Sequence, residues 1–279
     1  MRRETFETPG ELTLDLRVPA GRIEIETVDA TTTEVELDAR GGSDQVRDLL
    51  DDARIELREV PGGHELTLDV EGRRGMGFGF LRKLDVRVDI RAPKDANVRS
   101  ETASADLRGR GRFGSLRAKA ASGDLDFDEV AGRVSVEAAS GDVRVASVHG
   151  DADINTASGD VKLGRVEGKL SARAASGDVS LDEAGNGVEV RTASGDQRIG
   201  AVVAGNVSLQ SMSGDIKVGI RQGSTLWVDA RAMSGDLTSE LALGDEPPAE
   251  DAPFVELRAN SMSGDIDVVR APAVSAATR

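Results

Sequence analysis

Ser-Gly-Asp occurs eight times in this chain, and its aspartates are Asp124, Asp142, Asp160, Asp178, Asp196, Asp215, Asp236 and Asp265. A row of carboxylates at regular spacing suits three kinds of chemistry. The first is calcium binding. Calcium takes oxygen ligands at about 2.4 Å, and neighbouring strands lie about 4.8 Å apart. Stacked carboxylates could therefore flank an ion, which makes Asp124, Asp142, Asp160, Asp178, Asp196 and Asp215 candidates for a weak, solvated site. Calcium-binding β-rolls use a denser glycine–aspartate pattern, whereas here each repeat offers one aspartate and no second ligand column. The second is glycoside hydrolysis, whose retaining form needs two carboxyls about 5–5.5 Å apart. Stacking would impose that spacing on every repeat, while a catalytic site is singular, and no histidine or aromatic platform accompanies the row. The third use is structural. Glycine accepts positive φ, and serine and aspartate bond nearby backbone amides, so Ser-Gly-Asp makes a tight turn. This is the reading adopted: no catalytic residue, no enzyme activity, no cofactor.

A turn that recurs needs elements that recur. From a degenerate copy ending at Asp106, the marker aspartates follow at steps of 18, 18, 18, 18, 18, 19, 21 and 29 residues. Late insertions lengthen a fixed unit, the longest holding the acidic, proline-rich stretch 243–253. Within a unit, apolar residues alternate, as strand faces require. Eight residues before the marker stand Leu116, Val134, Ala152, Leu170, Val188, Val207, Val228 and Leu257. Four before it only small residues occur, among them Ala138, Thr156, Ala174, Thr192, Ser211 and Ser261, which predicts a thin core beside the turn. Two after it come Arg144, Lys162, Arg198 and Lys217, cations that would offset the stacked anions. A second turn reads V-x-G at Val130–Gly132, Val148–Gly150, Val166–Gly168 and Val203–Gly205. The fold expected is an all-β β-solenoid of parallel stacked coils with two strands per coil. An antiparallel meander is the alternative, but identical residues in register favour like stacked on like.

The repeat register extends to the amino end. With Arg22 aligned to the markers, Leu14, Leu16, Val18, Ile23 and Ile25 fall on core columns, so residues 11–40 read as a diverged first coil. Residues 43–53 carry a serine cap and helical spacing of Val46, Leu49 and Leu50. Strands RIELREV and HELTLDV follow around Pro61-Gly62-Gly63, and LDVRVDIRAP (84–93) is a further strand. Residues 71–83 are basic and glycine-rich, with Met76, Phe78, Phe80 and Leu81 as candidate partner contacts; the alternative is that they cover the solenoid end. The organisation expected is a diverged β region over 1–97 with a short helix and hairpin, continuous with the repeat solenoid over 98–270, and a flexible tail over 271–279. Trp227 falls on an outward column. Met212, Met233 and Met262 replace alanine before the last three markers, and are expected to cover widened corners rather than to form an apolar stripe.

Composition narrows the function classes. The net charge of −15 repels nucleic acid and anionic lipid. Cysteine is absent, and the two histidines, His64 and His149, lie on unrelated segments, which argues against thiolate chemistry and histidine metal clusters. No stretch approaches the roughly 20 apolar residues of a membrane helix, and MRRETFETPG lacks the apolar run of a signal peptide. A cytoplasmic location is therefore expected.

The repeated [AM]-S-G-D-[VIL], the diverged G-x-[IV]-x-[IV] coil before it and the R-A-P-K-D strand end at 91–95 resemble the bacterial putative-adhesin family of unknown function with β-strand repeats. That resemblance implies a β-solenoid, no established enzyme activity and no catalytic residues to carry over. The function expected is a non-enzymatic binding or scaffold module for an unknown protein or glycan. One alternative is a self-assembling element similar to bactofilin-type filaments; the other is a weak calcium-binding β-roll. Because the residues near both ends look like blockers, a monomer is expected over a polymer.

Overall fold

Alternating valine, leucine and isoleucine give each repeat segment one apolar face, and a pleated strand buries such a face on one side. In the computed structural model, which describes residues 1–39, 50–70, 86–241 and 253–271, these segments are strands throughout. The chain divides into two compact units, Met1–Ala146 and Ser147–Arg279. Each is a β-solenoid.

The first unit holds β1 (Arg2–Glu7), β2 (Glu11–Val28), β3 (Thr32–Ala39), β4 (Arg54–Val60), β5 (Gly63–Asp69), β6 (Val86–Pro93), β7 (Asn97–Phe113), β8 (Leu116–Ser122), β9 (Leu125–Val130), β10 (Val134–Ser140) and most of β11 (Val143–Val148). Its coils stack in parallel and in register. Leu116 faces Val98 on one side and Val134 on the other, and Leu125 faces Leu107. Strands β2 and β7 run through the corner unbroken. Arg22 lies opposite Asp106, so the register inferred for the diverged coil is the register observed.

One expectation for this region needs correction. The diverged coil ends at Val28; β3 reverses and runs antiparallel to β6, with β1 antiparallel to β3. The coil of β2 has neighbours on both sides, β7 on one of them. Strands β5 and β6 stack in parallel on its far side, pairing Leu14 with Leu66 and Ile23 with Val88. The hairpin across Pro61-Gly62-Gly63 forms as expected, with β4 antiparallel to β5. Most of the expected helix over 43–53 falls on residues 40–49, outside the described residues.

The second unit continues with β12 (Ala152–Ser158), β13 (Val161–Val166), β14 (Leu170–Ser176), β15 (Val179–Ala184), β16 (Val188–Ser194), β17 (Gln197–Val202), β18 (Gly205–Ser213), β19 (Ile216–Ile220), β20 (Thr225–Ser234), β21 (Leu237–Ser239), β22 (Phe254–Ser263) and β23 (Ile266–Arg270). Ala152, Leu170, Val188 and Val207 stand in one buried column. The next member of that column is Leu257, and only then Val228. The last coil in sequence is thus inserted between its two predecessors, and the coil of β20 and β21 lies at the end of the stack.

The thin core beside the turn is present. Ala174, Thr192, Ser211 and Ser261 are buried, and the Thr192 hydroxyl donates to the Gly195 carbonyl at 3.2 Å. The V-x-G column is displaced in one repeat: Val202, not Val203, is the buried member, next to a register shift between Ile199 and Val202.

Candidate functional site

The Ser-Gly-Asp corners are the most repeated polar feature of the chain, and their geometry assigns each residue a task. The corner glycines have φ between +115° and +143°. At Gly195 a Cβ would lie 2.1 Å from the Gly177 carbonyl oxygen, so both conformation and close coil approach demand glycine. Its N–H donates to the Ser213 carbonyl of the next coil at 3.0 Å.

The aspartate acts between coils. Its Oδ1 accepts the backbone N–H of the corresponding aspartate in the adjacent coil. In the first unit Asp106 accepts from Asp124 and Asp124 from Asp142, at 3.2 and 3.0 Å. In the second, Asp160 accepts from Asp178, Asp178 from Asp196 and Asp196 from Asp215, at 3.0, 2.8 and 2.9 Å. The ladder then follows space rather than sequence: Asp215 accepts from Asp265, and Asp265 from Asp236, both at 2.8 Å. The main compensation for stacked anions is therefore a row of backbone amides. The expected cation appears at Lys162, whose Nζ lies 3.5 Å from Asp160 Oδ2.

This geometry brings the six calcium candidates into two ladders, Asp124 and Asp142 in one and Asp160, Asp178, Asp196 and Asp215 in the other. Asp124, Asp160, Asp178, Asp196 and Asp215 each commit one carboxylate oxygen to an amide. Among the described residues, no group of three or more His, Asp or Glu is placed to hold a metal ion.

A second polar feature belongs to the first unit alone. A cleft of about 530 Å³ is lined by Arg3, Glu24, Glu26, Glu34, Asp89 and Arg91, together with Glu36 and Arg110. Two pairs form within it, Arg3 with Glu36 and Arg91 Nε with Glu26 at 3.1 Å, while Asp89 takes Arg87 Nε at 2.8 Å and Arg110 takes Asp126 and Asp128, three residues outside the lining. Such a surface offers exchangeable ion pairs and hydrogen bonds, and it contains no histidine or hydroxyl nucleophile.

With the corner ladder and its register established, the family follows from the comparison with known proteins: the Toastrack DUF4097 model matches residues 13–269. The chain belongs to the Toastrack DUF4097 family. Solved structures similar to this Toastrack chain include a putative adhesin from Bacteroides fragilis, with 13% identity, 96% of each chain covered and a TM-score of 0.47. A putative adhesin from Parabacteroides distasonis shows 9% identity over 95% of this chain and 96% of that one, with a TM-score of 0.41. A putative lipid binding protein from the same species shows 13% identity over 96% of each chain, with a TM-score of 0.40. Comparison with curated proteins gave no match.

The remaining sequence candidates in this Toastrack chain fall as follows. Met76, Phe78, Phe80 and Leu81 lie outside the described residues. Trp227 is outward and 46% exposed, with the Arg258 guanidinium 5.8 Å from its ring centroid. Met212, Met233 and Met262 do not cover the corners. They are 59%, 80% and 53% exposed, because the residue before the corner serine sits on the outward face. Among the described residues no helix is long and apolar enough to cross a membrane.

Sequence reasoning missed two side-chain networks. Gln197 is buried at a position where other coils carry Leu125, Val143, Val161, Val179 or Ile216; its Nε2 donates to Thr192 Oγ1 at 2.8 Å and to the Gln210 carbonyl at 2.7 Å. That break in an apolar column was visible in the sequence. Arg165 donates to Glu183 at 2.6 Å, with Arg221 at 3.1 Å from the other carboxylate oxygen. The Arg165 hydrogen bond, with the charges of Arg165 and Arg221, holds the Glu183 carboxyl below its ordinary pKa against partial burial.

Proposed function

We propose that this chain is a non-enzymatic binding or scaffold module whose solenoid coils present a fixed outer surface to a protein or glycan. The observation that carries this reading is the use made of the repeated aspartates. The most abundant reactive groups of the sequence serve inter-coil hydrogen bonds, and no corner differs chemically from its neighbours in the way a reaction centre would. A binding role accords with membership of a family of adhesin-like domains. On sequence grounds the apolar residues of 71–83, Met76, Phe78, Phe80 and Leu81, are the proposed partner contacts.

The test uses the full chain on glycan and peptide arrays beside a variant with those four residues changed to serine. Selective binding by the parent chain, lost in the serine variant and retained in Asp178→Asn, is the expected result. A ligand that both bind equally would remove the 71–83 contact. Turnover of any arrayed glycan or peptide, abolished by Asp178→Asn in a folded protein, would overturn the non-enzymatic reading.

A further inference from the structure

Nine large apolar side chains are exposed among the described residues, and seven of them, Met212, Trp227, Val228, Met233, Leu237, Phe254 and Met262, belong to the last three coils; the others are Met1 and Val60. The coil at the end of that stack contains β20, which among the described strands pairs only with β22. The Thr225 N–H donates to the Pro253 carbonyl at 2.8 Å. Strand alternation then directs the N–H and C=O groups of Thr225, Trp227, Asp229 and Arg231 toward β22, and those of Val228, Ala230 and Ala232 away from it. Among the described residues β20 is therefore an open edge. By contrast, the edge strands of the first unit, β1 (RRETFE) and β4 (RIELREV), are dense in charge, a common protection against pairing.

The sequence of β20 is complementary to its own reverse. Around Ala230 it reads Trp227, Val228, Asp229, Ala230, Arg231, Ala232, Met233. We propose that β20 pairs antiparallel with β20 of a second copy of this chain, about a two-fold axis at Ala230. Facing residues in antiparallel strands share a face. In this register Asp229 stands opposite Arg231 of the second copy, twice by symmetry. Trp227 stands opposite Met233, a sulfur–aromatic contact, and Val228 opposite Ala232. The two Ala230 residues exchange N–H···O bonds with the groups that point away from β22. In the free chain Arg231 Nε donates to its own Asp229 at 3.2 Å on a solvated edge. A lipid surface cannot supply the strand hydrogen bonds that this edge lacks. Each copy uses its edge once, so the contact closes as a dimer and does not propagate; this departs from the monomer expected from sequence.

The test is light scattering on a size-exclusion column with the full chain over a hundredfold concentration range. The expected mass approaches twice 29.3 kDa as concentration rises. Asp229→Arg and Arg231→Asp each place like charges opposite one another at two symmetric points and should raise the dissociation constant about a hundredfold. The double variant Asp229→Arg/Arg231→Asp should restore the dimer. Ala230→Pro removes an N–H that β22 does not use and should give a monomer. Circular dichroism, and a urea midpoint equal to the parent's at concentrations too low for the parent to dimerise, confirm that each variant is folded. A parent chain that stays monomeric throughout, or folded single variants that dimerise like the parent, would overturn the proposal. So would a double variant that is folded yet monomeric, or a monomeric parent that binds lipid vesicles through Trp227.

Discussion

Replacing Asp196 with alanine removes the acceptor for the Asp215 N–H, held at 2.9 Å, and also one charge from a ladder flanked by Asp178 and Asp215. The two effects have opposite signs. A hydrogen bond to an ionised group contributes about 1.5–3 kcal/mol, and the half-exposed corner places this one at the lower end. Two carboxylates about 4.8 Å apart in water repel by about 1 kcal/mol, and Asp196 has two such neighbours. At low ionic strength the terms nearly cancel, so Asp196→Ala should lie within about 1 kcal/mol of the parent. At 1 M salt the Debye length falls to about 3 Å, which screens the repulsion but not the short contact. The alanine variant should then trail by about 1.5 kcal/mol. Asp196→Asn keeps an acceptor and loses the charge, so it should match or exceed the parent at low salt and fall between parent and alanine at high salt. Urea unfolding at both ionic strengths, with an unchanged slope, measures each difference. An alanine variant equal to the parent at high salt would refute the hydrogen-bond assignment. Identical behaviour of alanine and asparagine would show that charge, not acceptor geometry, is what the corner uses.

Gly195→Ala forces a side chain into φ +138° and against the Gly177 carbonyl; a loss of about 3 kcal/mol or more is expected, read as a lower urea midpoint. Ala138→Leu overfills the small column where Ala138 faces Ala120, and should cost about 1–3 kcal/mol, with an unchanged melting temperature counting against a packed corner. Because Arg165 lowers the Glu183 pKa in the folded chain, that stabilisation is complete above the ordinary carboxylate range and is lost as pH falls through the lowered value. The melting-temperature gap between parent and Glu183→Gln should be constant above about pH 5 and close below about pH 4. Asp160, Asp178, Asp196 and Asp215 each already give one oxygen to an amide, so millimolar calcium should leave the melting temperature unchanged; a rise abolished by Asp178→Asn/Asp196→Asn would make the row a metal ladder.

The coil, its two-strand period and its core columns were legible because burial imposes them on every repeat. Ala152, Leu170 and Val188 can occupy their column only if the strands alternate in register. The acceptor role of the aspartates was less legible. Ser-Gly-Asp announces a turn, but whether Oδ1 bonds within its own turn or to the next coil depends on how closely coils approach, and that distance becomes visible only when the Cβ missing from glycine is placed against the neighbouring carbonyl. The chain reversal at β3 left no mark, since TTEVELDA alternates as well as any strand of the stack does. The apolar edge at β20 was hidden for a different reason: Val228 stands in a core column, and its 42% exposure follows only from the position of its coil at the end.

The order of the coils was the least legible feature, and the corner chemistry explains why. The corners of Asp178, Asp196, Asp215 and Asp265 each offer one Asp N–H to one neighbour and one Oδ1 to the other, so any of these repeats can sit on any other. The ladder runs from Asp215 to Asp265 to Asp236 with bonds no longer than those between consecutive repeats. Nothing local distinguishes the swapped order from the sequential one. What selects it must lie in the connections: the 21-residue step from Asp215 to Asp236 crosses two coil thicknesses of about 4.8 Å each, and the 29-residue step from Asp236 to Asp265 then returns by one. Shortening 243–253 until that step equals 18 should therefore force sequential stacking, exchange which coil carries the open edge, and bury Val228 beneath the coil of Asp265. Trp227 fluorescence and the accessibility of Met233 to oxidation would report the exchange. If both stayed as in the parent chain while the protein remained folded, the swapped order would have to be encoded in β20 and β22 themselves.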